Sequence, residues 1–240
     1  MSKAARHTAC HYRKGHTMKA YYIHSNKGGN GSTTVAAIVA CIEAKAFGRR
    51  VAIVTNTDDA AATLGAPTGD THREITQGLD LYTVESMATR GGWLDAEAIA
   101  ALVGMSDNHA PHSVIVDLGN MGEKFALDLA SVGFDVLDVL VTRNHYVELR
   151  RDSAAIKTHD THPHHVVVVT DPQGALNTRD VSTVLRPTGE MFTLDRTDEL
   201  ARTLDAGLLA HRAGTRHTFD TLAAIVEAAP THEAHSRATK

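Results

Sequence analysis

The chain has 240 residues, 42% of them apolar and 5% aromatic, with a formal charge of -4. That length supports one sizeable core filled mainly by Ala, Val and Leu, and that charge argues against a uniformly basic nucleic-acid surface, although a local patch survives such an average. No run of about 18 apolar residues is present, so no membrane span is expected. The two cysteines, Cys10 and Cys41, form no disulfide framework, and a reducing cytoplasm fits them best.

Residues 1–17 are polar and basic without the apolar centre of a secretory signal. They read either as a disordered basic arm or as an extension upstream of a native start at Met18. A folded domain is expected over 18–229 and a polar tail over 230–240.

Within the domain, strand and helix alternate. Ala20–His24 reads as a short strand and leads into a glycine-rich loop. From Ser32 to Phe47 the residues Val35, Ile38, Val39 and Ile42 recur at helical spacing until Gly48. Val51–Val54 is a second strand. Residues 59–92 carry the weakest pattern and read as loop with a short helix or strand. A helix is expected over Trp93–Val103 with Asp95 near its start, then a buried strand Ser113–Asp117 and a helix Lys124–Val132. Strand Val136–Val141, helix Val147–Lys157 and the valine strand Val166–Val169 follow. Helix Thr178–Leu185, strand Met191–Leu194, and helices Thr197–Leu204 and Thr218–Ala229 complete the pattern. Apolar, β-branched strands separated by helices predict an α/β fold, a three-layer, mostly parallel sheet with helices on both faces. Phe219, Leu222, Ile225 and Val226 are expected to pack on that sheet.

The loop Lys27-Gly28-Gly29-Asn30-Gly31-Ser32-Thr33-Thr34 joins the first strand to the first helix. Glycines let the backbone approach phosphate oxygens closely, and successive N–H groups with the helix dipole favour an anion. In the general pattern G-x-x-x-x-G-K-S/T the residue after the lysine holds Mg²⁺. Thr33 occupies that place here and Ser32 stands at the lysine. A charge-assisted hydrogen bond is worth roughly 1.5–3 kcal/mol, so its loss weakens binding about tenfold to a hundredfold.

Lys27 at the head of the loop gives the segment its specificity. The loop resembles the deviant Walker A sequence, K-G-G-x-G-K-S/T-T, of the ParA/MinD group, matching at every position except Ser32. The resemblance extends through Val51–Val54, through Val114-Ile115-Val116-Asp117, which is similar to the strand ending in a Walker B-type aspartate, and through residues 166–210. The segment Asp198–Gly207 is similar to one in actinobacterial ParA/MinD-like and pilus-positioning CpaE/TadZ-like proteins. The resemblance implies a P-loop ATPase that binds ATP and Mg²⁺ with Lys27 to Thr34. It places Thr33 and Asp117 at the metal and Thr170 and Asp171 near the base. In that group the early lysine crosses a nucleotide-sandwiched homodimer interface. The group commonly carries D-x-D-P-Q after its second strand; here Thr55 and Thr57 replace both aspartates. A hydroxyl is no general base near neutral pH, so slow or lost hydrolysis is expected.

Several residues admit a plainer reading. Thr33 also reads as a hydroxyl capping the helix start, Asp117 as a cap on the turn through Gly119, and Thr170-Asp171-Pro172 as a turn. The cluster His159 to His165 among sixteen histidines reads as a solvated loop before a strand rather than a metal site. Arginines of the C-terminal half, including Arg143, Arg150, Arg151, Arg179, Arg196 and Arg202, either grip DNA phosphates or form surface ion pairs. The functions implied are a ParA-like DNA partitioning or positioning protein working with DNA and a ParB-like adaptor, or a CpaE/TadZ-like pseudo-ATPase scaffold for a pilus or secretion assembly. No C-terminal membrane anchor is seen in the sequence.

Overall fold

A computed structural model of the chain describes residues 18–84, 95–104, 110–117, 124–159, 164–210 and 216–228. In chain order the strands are β1 (Met18–His24), β2 (Val51–Thr55), β3 (His72–Thr76), β4 (Leu79–Thr83), β5 (Ser113–Asp117), β6 (Phe134–Arg143), β7 (His165–Thr170) and β8 (Met191–Asp195). The helices are α1 (Ser32–Cys41), α2 (Asp59–Leu64), α3 (Ala96–Leu102), α4 (Lys124–Ser131), α5 (Tyr146–His159), α6 (Thr178–Leu185), α7 (Asp198–Asp205) and α8 (Arg216–Ala228).

The strands form one sheet in the order β3-β4-β2-β5-β1-β6-β7-β8, parallel throughout except for the antiparallel pair β3–β4. Successive side chains of a strand point to opposite faces, so an apolar run serves two cores at once. Tyr21 and Ile23 of β1 join Val167 and Val169 of β7 against α1, α2, α7 and α8. On the other face Ala20 and Tyr22 meet α3 and α4, while Val166 and Val168 meet α5 and α6. The expected three-layer fold is therefore the observed one. Leu222, Ile225 and Val226 of α8 are buried in the first cluster, with Phe219 packed against it.

Two expectations are corrected. The segment read as loop with a short helix or strand holds helix α2 and a hairpin: β3 and β4 are joined by Gln77-Gly78, with Gly78 at φ 82°. β4 buries Leu79 and Leu81, but β3 is a polar edge strand without a clear alternation. The helix predicted to reach Phe47 leaves α-geometry after Cys41 and closes with a π-helical turn, Ile42–Ala46, in which Phe47 N–H donates to Ile42 O at 3.3 Å. That turn buries the Glu43 side chain completely. Its carboxylate accepts from the Tyr21 hydroxyl at 2.6 Å and the Arg49 guanidinium at 2.8 Å.

Candidate functional site at the carboxyl edge of the sheet

β1 lies between β5 and β6, with the chain leaving β1 toward β2 on one side and reaching β6 on the other. Such a switch point opens a crevice at the carboxyl ends of the strands. The glycine loop lies at this crevice. Gly29 and Gly31 adopt φ 82° and 97°, a region that L side chains rarely enter, and Gly31 occupies the N-cap of α1. Being a glycine, this N-cap residue has no side chain to take up the first amides of the helix.

Thr33 turns its hydroxyl to Asp117 instead. Asp117 ends β5, is 2% exposed, and accepts hydrogen bonds from both Thr33 and Ser32. Burial pushes its carboxyl up to about 6, the two hydroxyls partly oppose this, and nearby Asp59 adds to it. The alternative cap for Asp117, the turn through Gly119, lies outside the described residues. Thr55 is the strand neighbour of Asp117 and is fully buried; its hydroxyl oxygen accepts from Thr57 N–H at 3.3 Å. No carboxylate thus stands at position 55 or 57. Asp59, in the first turn of α2, is exposed.

The head of the loop is tied to α5. Lys27 Nζ lies 2.5 Å from Glu148 Oε1, and Asn26 donates to Asp152 at 2.9 Å. Residues 148 and 152 are one helical turn apart and face the loop together. Asp152 also accepts from Thr142 on β6; its burial raises its pKa, the Thr142 and Asn26 bonds opposing this.

On the α1 side, a cleft of about 210 Å³ runs from Gly29, Gly31 and Thr34 past Val169 and Leu194 to Leu200 and Leu204 of α7. Arg143 and Arg196 also line it. Thr170 and Asp171 lie just beyond this wall. The Thr170 hydroxyl donates to Asp195 at 2.6 Å, while the backbone N–H of Asp171 donates to Asn144 Oδ1 at 2.8 Å. Arg196 stands 3.8 Å from the Asp171 carboxylate, and Arg151 stands 3.7 Å from Glu148. Both are arginines the sequence left open between DNA and ion pairs. In sequence Asn26 reads only as a loop residue, Arg143 only as a DNA or ion-pair arginine, and Glu148 and Asp152 only as surface ion-pair partners; none is expected there to meet the others at this loop. Only the crossing of β1, β6 and α5 assembles them.

Of the histidine cluster, His159 ends α5 and His164 is exposed just before β7. His165 opens β7 and is buried, stacked edge-on against Phe192; residues 160–163 lie outside the described residues. Among the described residues no group of three or more His, Cys, Asp or Glu is placed to hold a metal ion, and no helix is long and apolar enough to cross a membrane.

A glycine-rich loop follows β1 beside a strand ending in a buried aspartate, in a mostly parallel sheet with the architecture of the P-loop class of α/β folds. Within that class its fold is that of the ParA/MinD ATPases. A ParA family ATPase from Chlorobium tepidum TLS matches with TM-score 0.64 and 15% identity, over 86% of this chain and 96% of its own. A chain of the MinC:MinD cell division protein complex from Aquifex aeolicus matches with TM-score 0.65 and 16% identity, over 87% and 96%. The septum site-determining protein MinD from Pyrococcus horikoshii OT3, complexed with Mg-ADP, matches with TM-score 0.64 and 14% identity, over 88% and 96%. No protein-family model and no curated protein matches the sequence.

Proposed function

We propose that the chain is a ParA-like nucleotide switch: it binds ATP and Mg²⁺ at Lys27 to Thr34, closes into a homodimer, and partitions or positions DNA, with weak or lost hydrolysis. One observation carries the reading: Thr33 and the buried Asp117 are held together beneath a glycine loop whose helix starts at the N-cap Gly31. Hydroxyl and carboxylate oxygens are the hard donors that Mg²⁺ takes, and the first-turn amides of a helix suit phosphates. The apolar wall formed by Val169, Leu194, Leu200 and Leu204 suits a base. A relative of the same fold is complexed with Mg-ADP, which supports the same ligands here. Thr170 and Asp171 stand beside this wall, where a base edge would come within reach.

Function then resides in a monomer–dimer equilibrium set by nucleotide. Exposed Arg150, Arg179 and Arg202 offer the phosphate contacts of a DNA-binding dimer, and a ParB-like adaptor would couple it to its cargo. The test is light scattering of the purified chain with and without ATP and Mg²⁺. A dimer that forms and binds DNA only with nucleotide supports the reading; a monomer at every ATP concentration refutes it.

A second reading, a CpaE/TadZ-like pseudo-ATPase scaffold for a pilus or secretion component, is favoured by Thr55. Its side chain is sealed in the sheet and its oxygen is engaged by Thr57, so it activates no water. ATP turnover abolished by Lys27→Ala would count against the scaffold.

A further inference from the structure

We propose that Arg143 supplies the phosphate-facing cation that the glycine loop lacks at Ser32. The inference rests on the nucleotide reading above and goes beyond it by assigning a residue that the loop motif does not contain. Ser32 sends its hydroxyl to Asp117, and Lys27 is engaged by Glu148, so neither residue leaves a cation at the start of α1.

Arg143 is the last residue of β6, next to β1 in the sheet, and that position brings its guanidinium to the loop. Its Nη2 donates to the carbonyl of Gly29, and the residue lines the cleft beside Gly29, Asn30, Gly31 and Thr34. Among the described residues no carboxylate lies within 4.0 Å of it, in contrast to Arg49, Arg151 and Arg196, which face Glu43, Glu148 and Asp171. The Arg143 Nε is buried without an acceptor. On the same wall Asn30 is 2% exposed, and its Nδ2 also has no acceptor. Two unpartnered donors, one of them on a cation, therefore adjoin a helix start that favours negative charge.

A polyphosphate is the ligand chemistry that answers all three features, because its oxygens only accept. An arginine is also suited to the double task. Its planar fork can hold the Gly29 carbonyl with one N–H while others remain for phosphate, which a lysine ammonium does less rigidly. Arg196 and Asp205 also line the cleft, beside Leu200 and Leu204, but Arg196 faces the Asp171 carboxylate, whereas Arg143 lies at the loop against the Gly29 carbonyl.

The test compares ATP and AMP binding by calorimetry for the full chain, Arg143→Ala, Arg143→Gln, and Arg143→Ala combined with Ser32→Lys. Glutamine keeps a donor for Gly29 but carries no charge. Both single variants are expected to lose about tenfold to a hundredfold in ATP affinity, with AMP affected far less, and Ser32→Lys is expected to restore most of the loss. Thermal melts identify any variant that fails to fold, and the glutamine variant then decides. Unchanged ATP affinity in folded Arg143→Gln overturns the role of Arg143 while leaving the nucleotide reading intact. A wild-type chain that binds no triphosphate overturns both.

Discussion

Lys27 is held within its own chain by Glu148, its Nζ 2.5 Å from a carboxylate that is 9% exposed while the lysine itself is 47% exposed. A lysine that must reach a partner subunit has first to leave this contact. We expect Glu148→Gln to lower the ATP concentration for half-maximal dimerisation about two- to fivefold, the equivalent of an ion pair worth up to about 1 kcal/mol. Light scattering across an ATP series checks this; an unchanged or higher midpoint would show that the pair does not restrain the lysine.

The approach of α2 to α7 depends on two glycines. A Cβ on Gly65, at φ 74°, would sit 1.8 Å from the carbonyl oxygen of Gly207. Gly65→Ala therefore combines left-handed backbone strain with a backbone clash and should cost roughly 2–5 kcal/mol. A Cβ on Gly28 would meet nothing within 4 Å, so Gly28→Ala should shift folding stability by less than about 0.5 kcal/mol. Urea denaturation of both variants tests the contrast.

Tyr21 and Glu43 form a buried pair beneath the π-helical turn. Burial and the adjoining Glu43 carboxylate hold the Tyr21 hydroxyl in its protonated, donating form well beyond its ordinary range. Tyr21→Phe keeps the ring but strips one partner from a buried carboxylate, an expected loss of about 1–3 kcal/mol in a urea titration. If the variant is as stable as the parent, the carboxylate has found another donor and the turn does not depend on Tyr21.

His165 gives the fold an acid-side weakness. Burial lowers its pKa, with His164 adding to this, while the Nδ1 atom accepts from Glu190 N–H at 2.9 Å. The folded state therefore favours neutral histidine. As pH falls through 6.5 the unfolded chain takes up a proton that the folded one refuses, and stability drops until the folded pKa is passed. His165→Gln, which preserves an acceptor, should show a smaller loss between pH 7.5 and pH 5.5 than the parent in denaturant melts. Parallel losses in both proteins would assign the pH dependence to other groups.

Much of this architecture is legible in sequence because its signals are local. Val166 to Val169 and Val114 to Val116 are apolar on both faces, and only a sheet covered twice can bury them. The bounds of α6 follow from residues within one turn, while Thr197, read as the first residue of the next helix, is its N-cap. The hairpin was hidden because β3, His72-Arg73-Glu74-Ile75-Thr76, is an exposed edge whose pairing is decided by β4, not by its own pattern. The π-helical turn was hidden because Glu43 answers to Tyr21, 22 residues earlier.

By itself the sequence determined the layered α/β fold and the position of a phosphate-type loop between β1 and α1, since glycine conformational freedom and apolar runs act on neighbouring residues. Tertiary structure alone decided which charges meet that loop: Lys27 with Glu148, 121 residues away, and the Gly29 carbonyl with Arg143, 114 residues away. Electrostatic partners are set by distance in space, and here β6 beside β1 makes those distances short.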